Sequence, residues 1–162
     1  MSEVTSWSVF ILLKCGDKIL LVYNKEEEKP DGKVKRAAWG LPGGKVEEDE
    51  IHNNEIEEKK ALARELREET GIDLNKVRIM KHPDLYLYED KPDWFEKKKK
   101  SRVIVLVGEI KEEIEPQPSL EADVIEGKWF PISEISKLDI YKNHLRRIQV
   151  LLNNLNKLQA ED

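Results

Sequence analysis

Apolar residues first occur in short runs bounded by turn-forming residues, a pattern that predicts β-strands. Residues 7–14 and 18–23 are two such runs, and the Gly16-Asp17 pair between them favours a tight turn, so we expect a β-hairpin. The charged residues 25–36 predict a loop, because they cannot bury a face, and a short strand is expected at residues 37–41. The chain therefore opens with β-structure.

The middle and the end of the chain have helical patterns. Residues 54–70 contain good helix formers, Asn54 and Glu57 have the spacing of a capping box, and Gly71 stands where a helix commonly ends. Residues 141–159 repeat Leu and Ile at helical spacing, which predicts an amphipathic helix that packs on a sheet. We expect a long helix at each of these positions.

Further strands occupy the second half of the chain. Residues 102–110 have the clearest strand pattern among them. The polar residues 89–101, which include the run Lys97–Lys100, predict a long hairpin loop with a solvated tip. The remaining short elements are strands at residues 77–81, 85–88 and 127–130 and a helical turn at residues 133–137.

Composition narrows the classes of protein that this pattern allows. The chain has 162 residues, of which 39% are hydrophobic, so we expect one folded domain over residues 1–162 rather than a disordered chain. Its 28 Lys and Arg residues and 33 Asp and Glu residues give a formal charge of −5. This balance argues against a protein that binds nucleic acid through bulk positive charge.

The single cysteine, Cys15, excludes an internal disulfide framework and a cysteine-rich zinc site. No apolar run approaches the ~20 residues that span a bilayer, and no export signal is visible. We therefore expect a cytoplasmic protein that has no membrane partner.

Carboxylate side chains gather on one face of the predicted central helix. At about 100° per residue, Glu65, Glu68 and Glu69 fall within an arc of roughly 100°. Like charges one turn apart cost a helix roughly 0.2–0.5 kcal/mol per pair, which a hard divalent cation such as Mg²⁺ would offset. A solvated charged face, with Arg64 and Arg67 as ion-pair partners, is the alternative that the spacing alone leaves open.

The order of residues around this helix is more specific than the spacing. Residues 64–72 read Arg-Glu-Leu-Arg-Glu-Glu-Thr-Gly-Ile, and residues 39–47 read Trp-Gly-Leu-Pro-Gly-Gly-Lys-Val-Glu. Residues 64–72 match, without a mismatch, the Arg-Glu-apolar-x-Glu-Glu-x-Gly-apolar core of the Nudix box, and residues 39–47 resemble the strand and loop that precede it. The sequence thus resembles the Nudix hydrolase family, with the box at about residues 44–72.

The resemblance extends beyond the box and implies a fold. The flanking strands, the segment Trp129-Phe130-Pro131 and the last helix match the plan of the family. We therefore expect an α/β (α+β) fold, in which a mixed central sheet lies between helices in an α/β/α sandwich. The resemblance also implies a single Nudix domain over residues 1–162.

One feature departs from the family pattern. Gly44 and Glu50 have the usual spacing, but thirteen residues rather than seven separate Glu50 from Arg64. Six residues are therefore inserted between residues 50 and 64, which leaves the role of Glu50 open and the helix carboxylates intact. We expect the fold to absorb an insertion of this size in a surface loop.

The resemblance also implies an activity. Family members hydrolyse a nucleoside diphosphate linked to another group: water attacks phosphorus, assisted by a divalent metal ion, here Mg²⁺ or alternatively Mn²⁺. By motif position, Glu68, Glu69 and Arg64 are the expected catalytic residues, with Arg64 orienting a helix carboxylate. The expected metal ligands are Glu65, Glu68, Glu69 and the backbone carbonyl of Gly43 or Gly44.

The general base and the substrate contacts stay open. The base is one of the box glutamates or an acidic residue of a later loop, with candidates Glu121, Asp123 and Glu126, and a solvated loop is the alternative for each of these three. Tyr88 and Trp39 are candidates to contact the substrate, although aromatic residues in strands commonly belong to the core.

These expectations define the hypotheses. The leading one is a Mg²⁺-dependent pyrophosphohydrolase of a small-molecule nucleotide or nucleotide derivative, with no nucleic-acid partner and with a homodimer as one expected assembly. The alternative is a nucleotide- or RNA-binding regulator of the same fold with little or no turnover. An isoprenoid diphosphate isomerase shares the fold but needs a catalytic cysteine, and Cys15 lies in the predicted hairpin turn, so this hypothesis ranks last.

Overall fold

The computed structural model describes residues 4–52, 55–92 and 100–161. Within them the chain forms the helices α1 (Glu58–Thr70) and α2 (Lys142–Ala160) and several short 3-10 helices. The strands in chain order are β1 (Val4–Cys15), β2 (Lys18–Asn24), β3 (Glu27–Glu28), β4 (Val34–Lys35), β5 (Ala38–Gly40), β6 (Gly43–Lys45), β7 (Ile51–His52), β8 (Glu55–Ile56), β9 (Arg78–Ile79), β10 (Tyr86–Pro92), β11 (Lys100–Glu109) and β12 (Val124–Pro131).

A mixed sheet forms the centre of the fold. Its main path has the order β10-β11-β1-β2-β12, while β5, β6 and β9 pair with β2, β1 and β11. β1 and β11 are parallel, whereas the other neighbouring strands on this path are antiparallel. The predicted first hairpin is confirmed, since Lys14 pairs with Ile19 and Cys15 pairs with Lys18.

Residues of β1 alternate between two hydrophobic cores. Val9, Ile11 and Leu13 belong to the core that contains the buried residues of α1, whereas Leu12 belongs to the core that contains those of α2. All four side chains are fully buried, and burial of each contributes roughly 1.5–3 kcal/mol. The two helices therefore cover opposite faces of the sheet, which confirms the predicted α/β/α sandwich.

A buried ion pair fastens α2 to the outer strand β10. Arg147 is buried, and its Nε donates to Glu89 Oε1 at 2.9 Å, while Arg146 donates to the same carboxylate. Because loss of either partner would leave a buried charge unpaired, this contact fixes the position of α2 on the sheet. Among the described residues, neither α2 nor any other helix combines a membrane-spanning length with an apolar sequence.

α1 begins later than the sequence pattern predicts and ends where expected. Its first residue is Glu58, so the predicted start at Asn54 is wrong, and Asn54 itself lies outside the described residues. A capping-box contact occurs instead in the preceding 3-10 helix, where the Glu47 amide donates to Glu50 Oε1 at 2.8 Å. At the other end Gly71 has a φ of 74°, which confirms the predicted C-cap.

A small hairpin accounts for the later start of α1. β7 pairs with β8, with Ile51 opposite Ile56, and the Glu57 amide donates to the Glu50 carbonyl at 2.8 Å. Glu50 and Glu57, which flank the hairpin in the chain, therefore lie next to each other. Residues 51–56 have the length of the insertion expected from the sequence, and we infer that they are the insertion.

Other element boundaries also differ from the sequence pattern. The predicted loop at residues 89–101 is shorter, because β10 and β11 continue their antiparallel ladder to Pro92 and Lys100. β12 is longer than the predicted strand at residues 127–130, because it pairs along β2 from Val124 onward. Residues 97–99 of the lysine run lie outside the described residues.

Deletion of residues 51–56 should leave a folded protein. The deletion joins Glu50 to Glu57, which already share a backbone hydrogen bond, and it removes the partial burial of Ile51. We expect the free energy of unfolding in urea to fall by no more than about 2 kcal/mol. Ile51→Ala measures the loss of packing alone; if that variant folds and the deletion variant does not, the hairpin is required by the fold.

Candidate active site

Two consecutive glycines lie where the chain before α1 approaches that helix. The segment around them, residues 42–45, is called the glycine loop below. Gly43 and Gly44 lie in β6, which pairs with β1. A Cβ on Gly43 would lie 2.1 Å from the Val9 carbonyl oxygen, and the φ of 142° at Gly43 disfavours any other residue. A Cβ on Gly44 would lie 2.7 Å from Glu65 Oε1. Gly43 therefore allows β6 to approach β1 closely, and Gly44 leaves room for the Glu65 carboxylate.

Three carboxylates of α1 lie along the side that meets this loop. Glu69 Oε1 accepts a hydrogen bond of 2.7 Å from the Gly43 amide, and the carboxylate of Glu65 lies against Gly44. Glu69 is only 6% exposed, whereas the side chain of Glu68 is 36% exposed. The group formed by Glu65, Glu68 and Glu69 thus extends from the buried loop contact out to solvent.

Burial makes Glu65 and Glu69 costly to ionise. It raises the pKa of Glu69 well above its usual range and also raises the pKa of Glu65, and neighbouring negative charges act in the same direction. The Gly43 amide offsets part of this effect at Glu69, and Arg64 offsets part of it at Glu65. A divalent cation would stabilise the ionised forms, so this oxygen-rich donor set fits a hard metal ion.

Arg64 connects carboxylates of the segment before α1 with carboxylates of α1 itself. Its Nε and Nη2 donate to the two oxygens of Glu50 at 3.0 Å, and its Nη1 donates to Glu65 Oε1 at 3.0 Å. Nη1 is also 3.5 Å from carboxylate oxygens of Glu47 and Glu68. The planar guanidinium suits such multiple contacts, so Arg64 holds carboxylates from both segments in fixed positions.

Glu50, whose role the sequence left open, is the buried partner of Arg64. It is 2% exposed, and burial by itself would raise its pKa. Hydrogen bonds from Arg64 and from the Glu47 amide, together with the charge of Arg64, outweigh burial and lower the pKa of Glu50. Glu50 is therefore held as a carboxylate beside α1 despite the intervening hairpin.

A second group of acidic residues lies in the short 3-10 helix before α1. Carboxylate oxygens of Glu47, Asp49 and Glu50 lie within 4.8 Å of one another, a spacing that could hold a cation. Sequence reasoning did not single out Glu47 and Asp49, although both belong to the acidic stretch before α1. Both oxygens of Glu50 already accept hydrogen bonds, so fewer lone pairs remain for a metal ion here than at the helix carboxylates.

The loop before β12 is anchored to the end of α1. The amides of Gln117 and Ser119 donate to the carbonyls of Thr70 and Glu68, each at 2.8 Å. These bonds satisfy carbonyl groups that the last turn of a helix leaves without partners. The anchored loop leads directly to the acidic residues 121–126.

Asp123 is coupled electrostatically to the helix carboxylates. Its negative charge contributes to the raised pKa of Glu69. Glu121 and Glu126 are exposed, and Glu126 lies in β12 opposite Tyr23. The structure thus brings Asp123, one of the three base candidates, into the surroundings of Glu69.

The two aromatic candidates occupy different environments. Trp39 is half-buried, packs edge-on against Tyr23 and Phe130 at ring separations of 5.1 and 4.8 Å, and belongs to the core on the α2 side. Tyr88 is 49% exposed, and the Arg102 guanidinium lies 4.7 Å from the centre of its ring. Trp39 therefore packs with core residues, whereas Tyr88 presents its ring at the surface of β10.

A cavity of about 570 Å³ lies at the opposite end of α1. Glu58, Met80 and Tyr86 contribute to its wall, and the Tyr86 hydroxyl donates to Glu58 Oε1 at 2.5 Å. Glu58 precedes Glu65 by seven residues, about 10 Å along the helix axis, so this cavity is separate from the group of carboxylates.

The amino-acid sequence matches the family model of the NUDIX domain over residues 4–151. The chain belongs to the Nudix family. This match confirms the resemblance and the prediction of a Nudix hydrolase, an enzyme class that acts on phosphoanhydride bonds. Arg64 and the carboxylates of α1 lie within the matched residues, in the segment that resembles the Nudix box in sequence. None of the curated proteins compared with the chain matches it in sequence.

Solved Nudix structures share the fold. The NUDIX domain of Shewanella oneidensis NrtR, in a cocrystal with ADP ribose, has a TM-score of 0.67 and 18% identity, with 96% of this chain and 90% of that chain covered. A C. elegans Ap4A hydrolase has a TM-score of 0.64 and 17% identity, with coverage of 98% and 100%. A bifunctional NMN adenylyltransferase/ADP ribose pyrophosphatase from Francisella tularensis, complexed with AMP and a Mn ion, has a TM-score of 0.62 and 25% identity, with coverage of 94% and 42%.

Glu50→Gln should destabilise the Nudix protein at neutral pH. The substitution removes the buried carboxylate that accepts hydrogen bonds from Nε and Nη2 of Arg64, a change that costs about 2–4 kcal/mol. Because the pKa of Glu50 is lowered from its usual 4.5, its stabilisation is fully present above that value and is lost as the pH falls through the folded-state pKa. The difference from wild type in urea unfolding should therefore shrink from pH 7 to about pH 3.

Glu48→Gln is the matched control, because Glu48 lies in the same short 3-10 helix but is exposed. We expect its free energy of unfolding to stay within about 0.5 kcal/mol of wild type. Equal stability of the Glu50 and Glu48 variants at neutral pH would contradict the buried pair.

Proposed function

We propose that this Nudix protein is a Mg²⁺-dependent pyrophosphohydrolase that cleaves a nucleoside diphosphate linked to another group. The observation that carries the proposal is the contact of Glu69 with the Gly43 amide and of Glu65 with Gly44, which brings two helix carboxylates together against β6. Such a group suits a divalent cation, with Mn²⁺ as the alternative to Mg²⁺. Membership of the Nudix family supports the same chemistry.

The names of the structural neighbours support the substrate class. One neighbour is complexed with ADP ribose, another is named an Ap4A hydrolase, and a third is named an ADP ribose pyrophosphatase. ADP ribose and Ap4A each join adenosine through two or more phosphates to a second group. We therefore propose a small-molecule nucleotide derivative as the substrate; a cytoplasmic location and a homodimer stay sequence-based predictions.

The metal ligands that we propose are the helix carboxylates and a carbonyl of the glycine loop. When bound, the ion would neutralise pyrophosphate charge and make water more acidic. The raised pKa values of the two buried glutamates support this assignment, because a nearby cation removes the cost of ionising them. The proposed ligands are Glu65, Glu68, Glu69 and the backbone carbonyl of Gly43 or Gly44.

Two further side chains have proposed roles: Arg64 positions the carboxylates, and Asp123 transfers a proton. Arg64 holds Glu50 and Glu65 in place through its hydrogen bonds, so the helix carboxylates stay aligned during the reaction. We propose Asp123 as the general base, because its charge acts on Glu69 while its side chain is exposed. Its carboxylate would accept a proton from the water whose oxygen bonds to phosphorus. The bond from that phosphorus to the bridging oxygen of the anhydride would break, and the bridging oxygen would leave with the other phosphate.

The aromatic candidates have different proposed roles. The exposed ring of Tyr88 can stack on a nucleobase, an interaction worth about 1–3 kcal/mol. Trp39 is packed against Tyr23 and Phe130, so we propose that it contributes mainly by fixing β5, the strand before the glycine loop. Substrate contact through Trp39 stays a prediction.

A substrate panel tests the proposed function. The purified protein is assayed with Mg²⁺, with Mn²⁺ and with EDTA against nucleoside triphosphates, oxidised triphosphates, ADP ribose and dinucleoside polyphosphates. We expect metal-dependent hydrolysis of at least one of these classes. Tight binding of a panel member without hydrolysis in either metal would overturn the proposal and favour the nucleotide-binding regulator.

Glu69→Gln should lower kcat about 100-fold or more without unfolding the protein. Glutamine keeps an oxygen that can accept the Gly43 hydrogen bond, but it lacks the negative charge proposed to bind the metal ion. Turnover measured across a Mg²⁺ titration should also show a higher metal requirement. Glu57→Gln, an exposed position at the start of the same helix, is the control, and equal turnover of the two variants would contradict the metal assignment.

Asp123→Asn should lower kcat about 100-fold and leave KM within about threefold of wild type, because a general base acts in the chemical step. The pH dependence of kcat should lose the limb that reports ionisation of the base. Glu121→Gln and Glu126→Gln keep Asp123 and should retain activity. An equally large loss in either control would show that the base is assigned to the wrong residue.

A further inference from the structure

A lysine outside the Nudix box lies at the border of the proposed active site. Lys35 is half-buried in β4, directly opposite Glu27 of β3. The carboxylates of Glu27, Asp123 and Glu69 are all close enough to favour its charged form. The Lys25 amide, two residues before β3, donates to the Asp123 carbonyl at 3.0 Å, so the β3–β4 hairpin that carries Lys35 begins beside the proposed base.

Contacts with the start of α2 hold this lysine in position. Its Nζ lies 4.7 Å from the centre of the Tyr141 ring, within the range of a cation–π contact. The Tyr141 hydroxyl donates to the Arg36 carbonyl at 2.7 Å, and Arg36 forms an ion pair with Asp139. The segment is thus fastened at the residue after Lys35, which limits the positions that the ammonium group can reach.

The electrostatics of the site call for a cation at this border. A group of carboxylates repels a substrate that carries two or more phosphates, and a nearby positive charge offsets that repulsion. Arg64 is engaged by hydrogen bonds to Glu50 and Glu65. Burial lowers the pKa of Lys35, and the surrounding carboxylates offset part of that effect.

We propose that Lys35 binds a phosphate group of the substrate and thereby sets KM. The inference rests on the proposed function. A lysine ammonium is a compact charge on a flexible stem and binds phosphate as a point charge, which suits a group that crosses the active-site border. The contact with the Tyr141 ring limits where this stem can place the ammonium group.

Kinetics of charge-changing variants test the role of Lys35. Lys35→Gln and Lys35→Met should raise KM about tenfold or more and leave kcat within about threefold, because a charge-assisted contact to phosphate is lost. Lys35→Arg should restore most of the affinity. Lys33→Gln is the matched control, since Lys33 is exposed two residues earlier in the same segment. An unchanged KM in both Lys35→Gln and Lys35→Met would overturn the inference.

Binding of inorganic pyrophosphate gives a readout that does not require turnover. Titration calorimetry in the presence of Mg²⁺ should show a Kd about tenfold higher for Lys35→Gln than for wild type or Lys33→Gln. Equal Kd values would overturn the inference. A wild-type protein that binds pyrophosphate through Lys35 but hydrolyses no member of the substrate panel would support the inference and reject the proposed function.

A purely structural role for Lys35 makes a different prediction. If Lys35 served only as the partner of Glu27, Lys35→Gln and Glu27→Gln would lower Tm by similar amounts and leave KM unchanged. We expect the rise in KM only in the Lys35 variants. Matched losses of Tm without a change in KM would therefore contradict phosphate binding.

Discussion

The site depends on the hydrogen bonds that the Arg64 guanidinium donates to carboxylates of two segments. The guanidinium joins Glu50 of the loop to Glu65 of the helix through hydrogen bonds of 3.0 Å. These partners come from segments separated by residues 51–56, so the contact sets the distance between loop and helix whatever the length of chain between them. Buried carboxylates with raised pKa values need cations nearby, and Arg64 supplies one of them within the protein itself.

Elements of the fold that depend on local patterns could be predicted from the sequence. The first hairpin, the end of α1 at Gly71 and the apolar spacing of α2 are of this kind. The start of α1 could not be predicted, because Asn54 and Glu57 imitate a capping box. The deciding contacts, pairing of β7 with β8 and the bond from Glu57 to Glu50, lie outside such a local pattern.

The candidate site also has one part that could be predicted from the sequence and another that could not. Helix periodicity and motif order predict the grouping of Glu65, Glu68 and Glu69, because these residues share one face of α1. The position of Glu50 depends on its contact with Arg64 across the β7–β8 hairpin, and the position of Lys35 depends on the pairing of β3 with β4. Residues so far apart in the chain leave no periodic signal.

The β7–β8 hairpin makes the Nudix box of this protein a permissive place to lengthen the chain. Its two ends meet at the 2.8 Å hydrogen bond between Glu57 and Glu50, so additional residues between the strands need not thread through the sheet. A fluorescent reporter or a whole domain grafted there would be tethered directly to the start of α1. The hairpin thus offers an attachment point next to the helix that carries Glu65, Glu68 and Glu69.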